Sequence, residues 1–521
     1  MRAPAIALVG FMGAGKSTAA RIAAAALGAE AVDLDREIEA RLGRSIERIF
    51  AEQGEPAFRA AEEQLTLELL DDARGPRRVL ALGGGAVGSP RVCEALRDHL
   101  IVWIDVDADT AWARCCDGSR PLASDHERFE RLYAEREPLY AAAADVVVDQ
   151  RSIGSIAAVL AAHADLPDGV TMLWASTASG EHPAYVGPGL LGADENAGGE
   201  SGGFWPATVK GRLFVVTDYN AGRLYGERLG AVDGRVTVMP GEQSKTVAHA
   251  DIVWTELARA GMTRADVVVA LGGGVVGDLA GFCAATYQRG VRFVQVPTTL
   301  VAQVDSAYGG KTGVDLPEAK NYVGAFHQPA AVIADTDALA TLPPAELASG
   351  YAEVVKTALI AGGWLWDLIR GGAGSGEADW PRIVTACAHA KLRIVSRDER
   401  DGNLRQVLNL GHTVGHAIET VTGYATYRHG EAVALGLLAA LRLSGAAALR
   451  DEVRELLAAR GLPTGGADFD PDAVVVATAR DKKRVGAGPV PFVLLEAPGE
   501  PRPGCEVPAR ELIAAVRELA R

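Results

Sequence analysis

The chain has 521 residues, with 52 Lys+Arg against 67 Asp+Glu, a formal net charge of -15, and 48% hydrophobic and 23% charged residues. That length exceeds one ordinary core and predicts roughly two to four domains. A globular composition of this acidity excludes a general nucleic-acid binder, while leaving room for local basic pockets that take anionic metabolites.

The six cysteines, Cys93, Cys115, Cys116, Cys283, Cys387 and Cys505, form no CxxC pair, which predicts a reducing cytoplasm and no disulfide frame. No apolar run reaches the ~20 residues of a membrane span. The N-terminus runs straight into a strand, so no signal peptide is expected.

In residues 1–162, "AIALVG", "VLALGGG" and "LIVWIDV" read as buried parallel strands set between small-residue helices. "GFMGAGKS", Gly10–Ser17, matches G-x-x-x-x-G-K-[ST] between the first strand and a helix that stops at Gly28. Around Gly10, Gly13, Ala14 and Gly15 the backbone N–H groups can wrap phosphates. Lys16 reaches the outer phosphates, and Ser17, followed by Thr18, can ligate Mg2+. "VDLDREIE" places Asp33 and Asp35 at the end of a strand, both on the same side. "GEPAFRAAEE" supplies Arg59 and Glu62, "LGGGAV" supplies Gly83, Gly84 and Gly85, "SRPLA" supplies Arg120 and "REPLY" supplies Arg136. Taken singly, each of these reads equally well as a solvated loop residue or a turn.

"HADLPDG" (163–169) is the predicted linker. A second α/β pattern over 170–345 follows, with "LFVVTD", "VVVALGGG" and "RFVQVPTT" as strands and the stretch between Gly192 and Gly211 as a flexible surface loop. "VVVALGGGVVGDLAGF" (267–282) is a strand, a glycine turn and a helix start, a form in which backbone can approach a pyrophosphate. It is not GxGxxG, so by itself it leaves the dinucleotide reading open. From residue 346 to 521 long Ala/Leu-rich helices predict a helical domain. There "SGYAEVVKTAL" sets Glu353 and Lys356 on one helical face, and "LNLGHTVGHAIE" does the same for His412 and His416. "YRHGEAVALG" adds His429, so three of the chain's ten histidines fall in one ligand-rich region, which points to a metal site. Spacing alone does not fix its other ligands.

In this order, the motifs of residues 1–160 resemble shikimate kinase. The resemblance implies a P-loop NTPase-type parallel sheet that binds ATP and Mg2+ and phosphorylates shikimate. Asp35 is then the base on the acceptor hydroxyl, and Asp33 joins Ser17 at Mg2+. Arg59 and Arg136 clamp the carboxylate, Gly84 and Gly85 line the ring, and Arg120 sits on a lid over the transferring phosphoryl group. Arg114 and Arg151 are placed beside the adenine.

From about residue 170 to near the C-terminus, "PGEQSKT", "GGGVVGDLAGF", "PTTL", "VDSAYGGKTGVD", "KNYVGAFHQP", "GYAEVVKTAL" and "LNLGHTVGHAIE" resemble 3-dehydroquinate synthase. The resemblance implies a Rossmann-like NAD-binding α/β domain followed by an α-helical metal- and substrate-binding domain. Zn2+ (or Co2+) is then held by Glu353, His412 and His429. NAD+ contacts carried over are Asp218, Asn220, Glu242, Lys245, Gly273, Gly274 and Asp278, then Thr298, Thr299, Lys320, Thr341, Leu342 and Glu346. Substrate contacts are Asp305, Lys311, Asn321, Lys356, Lys391, Arg405, Asn409 and His416. Arg289, reaching across a homodimer interface, and Lys482 are placed on the phosphate. Asp401 stands where the family carries Glu; its shorter reach leaves it outside this set. The expected reaction converts 3-deoxy-D-arabino-heptulosonate 7-phosphate to 3-dehydroquinate and phosphate. The two activities belong to the shikimate pathway but are not adjacent steps, so channelling between them is not expected.

Three alternatives stand beside this. A different small-molecule P-loop kinase lacks reason for the Asp35, Arg59 and Arg136 set. Another sugar-phosphate cyclase, or a metal- and NAD-dependent polyol dehydrogenase, does not need the carboxylate-binding Lys391 and Arg405. A catalytically dead scaffold predicts lost ligands, and none is lost.

Overall fold

The computed structural model describes residues 4–71, 77–116, 121–123, 125–164, 166–192, 202–317, 319–373, 378–479 and 490–520. Arg120 and Lys482 lie outside the described residues, as do residues 193–201 of the stretch between Gly192 and Gly211. The chain divides into two compact units, Met1–Ser176 and Thr177–Arg521.

The first unit is built on the parallel strands β1 (Ile6–Val9), β2 (Glu30–Asp33), β3 (Arg78–Ala81), β4 (Leu100–Asp105), β5 (Val146–Asp149) and β6 (Thr171–Thr177) in the order β2-β3-β1-β4-β5-β6. The β1 run is wholly buried, as an interior strand covered by helices on both faces must be. The order reverses around β1, which puts the loop after it at the crevice where α/β sheets take ligands. Two expectations change here. β2 ends at Asp33, whose side chain accepts the Arg36 N–H and caps the helix Leu34–Leu42, so Asp35 stands in the first helical turn rather than on the strand. β6, assigned by its position to the second module, pairs through Met172–Trp174 with β5, and the compact units divide after Ser176. Apolar alternation marks a strand without saying which sheet it joins.

The second unit contains parallel strands β7 (Gly180–Gly187), β8 (Leu213–Asp218), β9 (Gly234–Val238), β10 (Val267–Gly272) and β11 (Arg292–Pro297). After the antiparallel hairpin of β12 (Lys311–Leu316) and β13 (Ala319–Phe326), β14 (Ala331–Asp335) completes the sheet order β7-β14-β11-β10-β8-β9. The helices Pro344–Ala361, Trp380–Val395, His412–Val421 and His429–Leu443 follow and bury one large apolar core. The helix His429–Leu443 ends before Gly445, where φ is 74°, and a second helix Ala447–Ala458 follows. This half also carries an antiparallel pair, β15 (Phe492–Leu495) and β16 (Pro501–Cys505). Within the 192–211 loop, Phe204 packs edge-on against Tyr185 at 4.9 Å and Trp205 donates to the Leu229 carbonyl; those two aromatics anchor a segment read as freely flexible. Among the described residues no helix is long and apolar enough to cross a membrane.

Candidate functional sites

In the first unit the loop Gly10–Gly15 joins β1 to the helix Lys16–Leu27, whose first turn carries Ser17 and Thr18. Gly10, Gly13 and Gly15 have φ of 139°, 79° and 94°, a backbone course that needs glycine, and the Ala14 N–H donates to Phe11 O at 3.3 Å. Lys16 Nζ donates to the carbonyls of Gly10 (2.8 Å) and Phe11 (3.0 Å). Asp33 caps its helix through Oδ1 at 3.3 Å, which is compatible with Mg2+ at its other oxygen. Arg114 flanks the loop, donating to Gly13 O at 2.8 Å, and Arg151 pairs with Asp149.

The acceptor end of this site centres on Glu62, which the sequence reading names beside Arg59 without giving it a role. Glu62 is 2% exposed and accepts from Arg59 at 2.6 Å. Burial raises its pKa and the Asp35 charge adds to the rise, while the Arg59 and Arg136 guanidinium groups oppose it. The one carboxylate thus brings Asp35, Arg59 and Arg136 together. Its signal was present: Arg59 and Glu62 are three apart on one helix. Tyr140 donates to the Gly84 carbonyl at 2.5 Å, fixing the glycine loop beside Arg136.

In the second unit a cleft of about 1940 Å3 is lined by every residue expected to touch NAD+, from Asp218 through Gly273, Thr298 and Lys320 to Glu346, and also by Asn321, His416 and His429. Gly273 and Gly274 open the helix Gly274–Thr286 after β10, an N-terminus suited to a pyrophosphate. Asp218 caps the helix Tyr219–Tyr225 by accepting from Asn220 and Ala221. Lys245 lies among Glu242 (3.0 Å), Asp278 (3.3 Å) and Asp315 (3.8 Å). Burial alone would lower its pKa, but the three carboxylates raise it.

Next to the cleft, Glu353, His412 and His429 converge, with their ligand atoms within 4.8 Å of one another. His429 Nε2 is 3.1 Å and His412 Nε2 3.4 Å from Glu353 Oε1. Two glycines allow this. A Cβ on Gly430 would meet Ser349 O at 1.9 Å, and one on Gly436 would meet Gly411 O at 2.0 Å. The helix His429–Leu443 therefore lies hard against both the helix bearing Glu353 and the start of the one bearing His412.

Electrostatics favour a cation here. Burial raises Glu353, but Lys356 and His412 outweigh it and hold its carboxylate well below the usual range. Burial lowers His412. Burial alone would lower His429 too, yet Glu353 and Glu419 hold it at about 10. One carboxylate and two imidazoles is the donor set of a catalytic zinc site with open positions, and the residues fit such an ion.

A second charged group adjoins it. Lys356 Nζ is 2.6 Å from Glu353 Oε2 and 3.4 Å from Asp305 Oδ2; Lys391 Nζ contacts both the carboxylate and the carbonyl of Asp305. Asp305 sits in a wide π-type turn, Ala302–Ser306, a distortion that re-aims side chains at functional sites. Arg405 is 2% exposed and donates to Glu399 O (2.5 Å) and Gly309 O (3.0 Å). Asn409 ends the turn Leu404–Asn409 that leads into Leu410, whose carbonyl faces His412 Nδ1 at 3.2 Å. Lys311 pairs with Asp401 at 2.6 Å, so the shorter acid excluded on reach does reach. Arg289 is exposed, in a turn where it and Gln288 have φ of 71° and 50°. Glu419, 3% exposed, was also missed: it follows His416 by three residues and turns to the same face, toward His429 and Lys320.

Residues 235–349 match the family model for the 3-dehydroquinate synthase N-terminal domain, 350–484 the C-terminal one, and 12–162 the shikimate kinase model. A 3-dehydroquinate synthase of Halorhodospira halophila is 44% identical over 347 residues, 63% of this chain and 93% of that protein. One of Caulobacter vibrioides is 44% identical over 344 residues, 61% of this chain and 90% of that protein. A solved 2-epi-5-epi-valiolone synthase from Streptomyces hygroscopicus subsp. jinggangensis, with NAD+ and Zn2+ bound, is 27% identical, with a TM-score of 0.58 over 65% of this chain and 96% of its own.

Proposed function

The chain belongs to the 3-dehydroquinate synthase family and carries a shikimate kinase module ahead of it, and from that premise we propose how its residues divide the two reactions. In the kinase module the Gly10–Gly15 backbone, Lys16 and Thr18 hold ATP, and Ser17 and Asp33 hold Mg2+. Arg59 and Arg136 clamp the shikimate carboxylate while Gly84 and Gly85 line its ring. Asp35 takes the proton of the attacking hydroxyl, and Arg120 neutralises the phosphoryl group in flight. Phosphoryl transfer asks for this positioning and charge neutralisation more than for covalent chemistry.

In the synthase module NAD+ lies in the cleft and Zn2+ (or Co2+) on Glu353, His412 and His429. When bound, the metal supplies charge stabilisation to a substrate oxygen and NAD+ supplies reversible oxidation and reduction. Lys356, Lys391, Arg405 and Asn409 hold the substrate's anionic and hydroxyl groups, with Asp305 fixing the two lysines. Lys311 and His416 face the departing phosphate, with Asn321, Arg289 and Lys482 on the same group. The carrying observation is the convergence of Glu353, His412 and His429 beside a cleft lined by the expected nucleotide residues. Identity to 3-dehydroquinate synthases over most of their length, against 27% to the valiolone synthase, favours this substrate over that of another cyclase.

The same reading has the synthase modules paired as a homodimer, with Arg289 reaching the partner's phosphate site. It also has the protein in the cytoplasm, in keeping with six free cysteines.

Two variants of the full chain test the division. His412→Ala should lose bound metal and 3-dehydroquinate formation while keeping ATP-dependent phosphorylation of shikimate; Lys16→Ala should do the reverse. Zinc retained in His412→Ala defeats the ligand assignment.

A further inference from the structure

Glu419 has no place in the reading above, yet it is buried to 3% exposure at the meeting point of the two halves of the synthase site. Its Oε1 lies 3.6 Å from His429 Nδ1, while the other ring nitrogen of His429 lies 3.1 Å from Glu353. The same Oε1 is 3.4 Å from Lys320 Nζ. Lys320 is itself 3.5 Å from Glu242, on the nucleotide wall of the cleft, and its ammonium sits 4.2 Å above the Tyr424 ring. A chain of polar contacts therefore runs Glu242–Lys320–Glu419–His429, crossing from the β12–β13 hairpin to the helix His412–Val421.

A carboxylate behind a metal-ligating imidazole fixes the ring's tautomer and direction and makes the metal-facing nitrogen a better donor. A buried acid that faces an ammonium on one side and a ligand imidazole on the other can pass a change at one to the other.

We propose that Glu419 is a positioning residue for His429, and that Lys320 ties this carboxylate to the nucleotide wall, so that metal and NAD+ affinities are coupled through one lysine. The proposal rests on Glu353, His412 and His429 being the metal ligands. A cluster of His416, Glu419 and His429 could instead hold a second ion; the ammonium of Lys320 beside Glu419 argues against that, and the test distinguishes the two.

The experiment measures the Zn2+ dissociation constant and stoichiometry of the full chain by competition with a chromophoric chelator, with and without saturating NAD+. The wild type should bind one Zn2+ per synthase module, with an affinity that NAD+ changes about 5-fold or more. Glu419→Gln, which keeps the shape and removes the charge, should weaken Zn2+ about 10- to 100-fold, and Glu419→Asp should recover part of this. Lys320→Met should still bind Zn2+, with the NAD+ effect reduced to about onefold at NAD+ levels shown by titration to saturate that variant. Thermal unfolding of each variant reports folding. Unchanged zinc affinity in Glu419→Gln, an undiminished NAD+ effect in Lys320→Met, or a second zinc equivalent lost in Glu419→Gln overturns the proposal. His412→Ala, measured alongside, separates failures: if it keeps zinc, the ligand reading has failed; if it loses zinc while Glu419→Gln does not, only the positioning role has.

Discussion

Lys311 Nζ and Asp401 Oδ2 meet at 2.6 Å across ninety residues of chain. Burial and the nearby Arg405 both push the Lys311 pKa down, and Asp401 pushes it back up. Asp401 has φ of 63°, a left-handed backbone that Asp and Asn tolerate and most residues do not. The acid thus meets Lys311 from a left-handed turn.

Asp401→Asn keeps that backbone and removes the charge. Its kcat/KM for 3-deoxy-D-arabino-heptulosonate 7-phosphate should fall about tenfold, the scale of one lost charge-assisted contact. Lys311, without its counter-charge, should release its proton at lower pH, so the alkaline limb of the kcat/KM profile should move toward neutrality. Shikimate phosphorylation by the same preparation should not change. A pH–rate profile superposing on the wild type removes Asp401 from the site.

In the kinase unit the glycine triplet has a steric reason. A Cβ on Gly85 would lie 2.2 Å from an Arg59 guanidinium nitrogen, a group already held by Glu62 at 2.6 Å and Glu55 at 3.1 Å. The obstacle is the far end of a flexible side chain, so Gly85→Ala should fold, with the guanidinium displaced. Since positioning carries this chemistry, KM for shikimate should rise by about 10-fold or more while KM for ATP stays within about 2-fold. Steady-state kinetics with each substrate varied in turn checks this; equal changes in both constants would show that the loop, not the Arg59 clamp, was disturbed.

What could be read from sequence follows from what is local. The strand, glycine loop and helix of the P-loop and the face shared by His412 and His416 are short-range patterns, and both are present in the structure. Asp35 was put on the strand because periodicity does not register that Asp33 would accept the Arg36 N–H and start a helix two residues sooner. β6 joined the sheet of the first unit through backbone pairing, which leaves no mark on side-chain alternation. Asp401 was dismissed on side-chain length, when its left-handed turn supplies the reach. Glu62 and Glu419 were in view on the right helical faces. Their partners, however, arrive from other elements, and a lone buried acid is indistinguishable in sequence from a solvated one.

His182 gives the last prediction. It lies in β7 at 2% exposure, and neither ring nitrogen has a hydrogen-bond partner among the described residues. Burial pulls its pKa from 6.5 down to about 4, against a smaller upward pull from Glu399. The folded state therefore refuses a proton that the unfolded chain accepts below its ordinary pKa. Stability is complete above that value and is lost as pH falls toward the folded pKa. At about 1.4 kcal/mol per unit, falling to a pH of about 4.5 costs the synthase unit about 2–3 kcal/mol from this one ring. His182→Leu fills the same apolar site with no proton to gain. Thermal unfolding midpoints of the synthase transition, taken at pH values of about 7.5 and 4.5, should fall several degrees further in the wild type than in His182→Leu. Carboxylates elsewhere titrate equally in both proteins, so the difference isolates the imidazole. Parallel losses would mean that His182 reaches a proton acceptor or solvent in the folded chain.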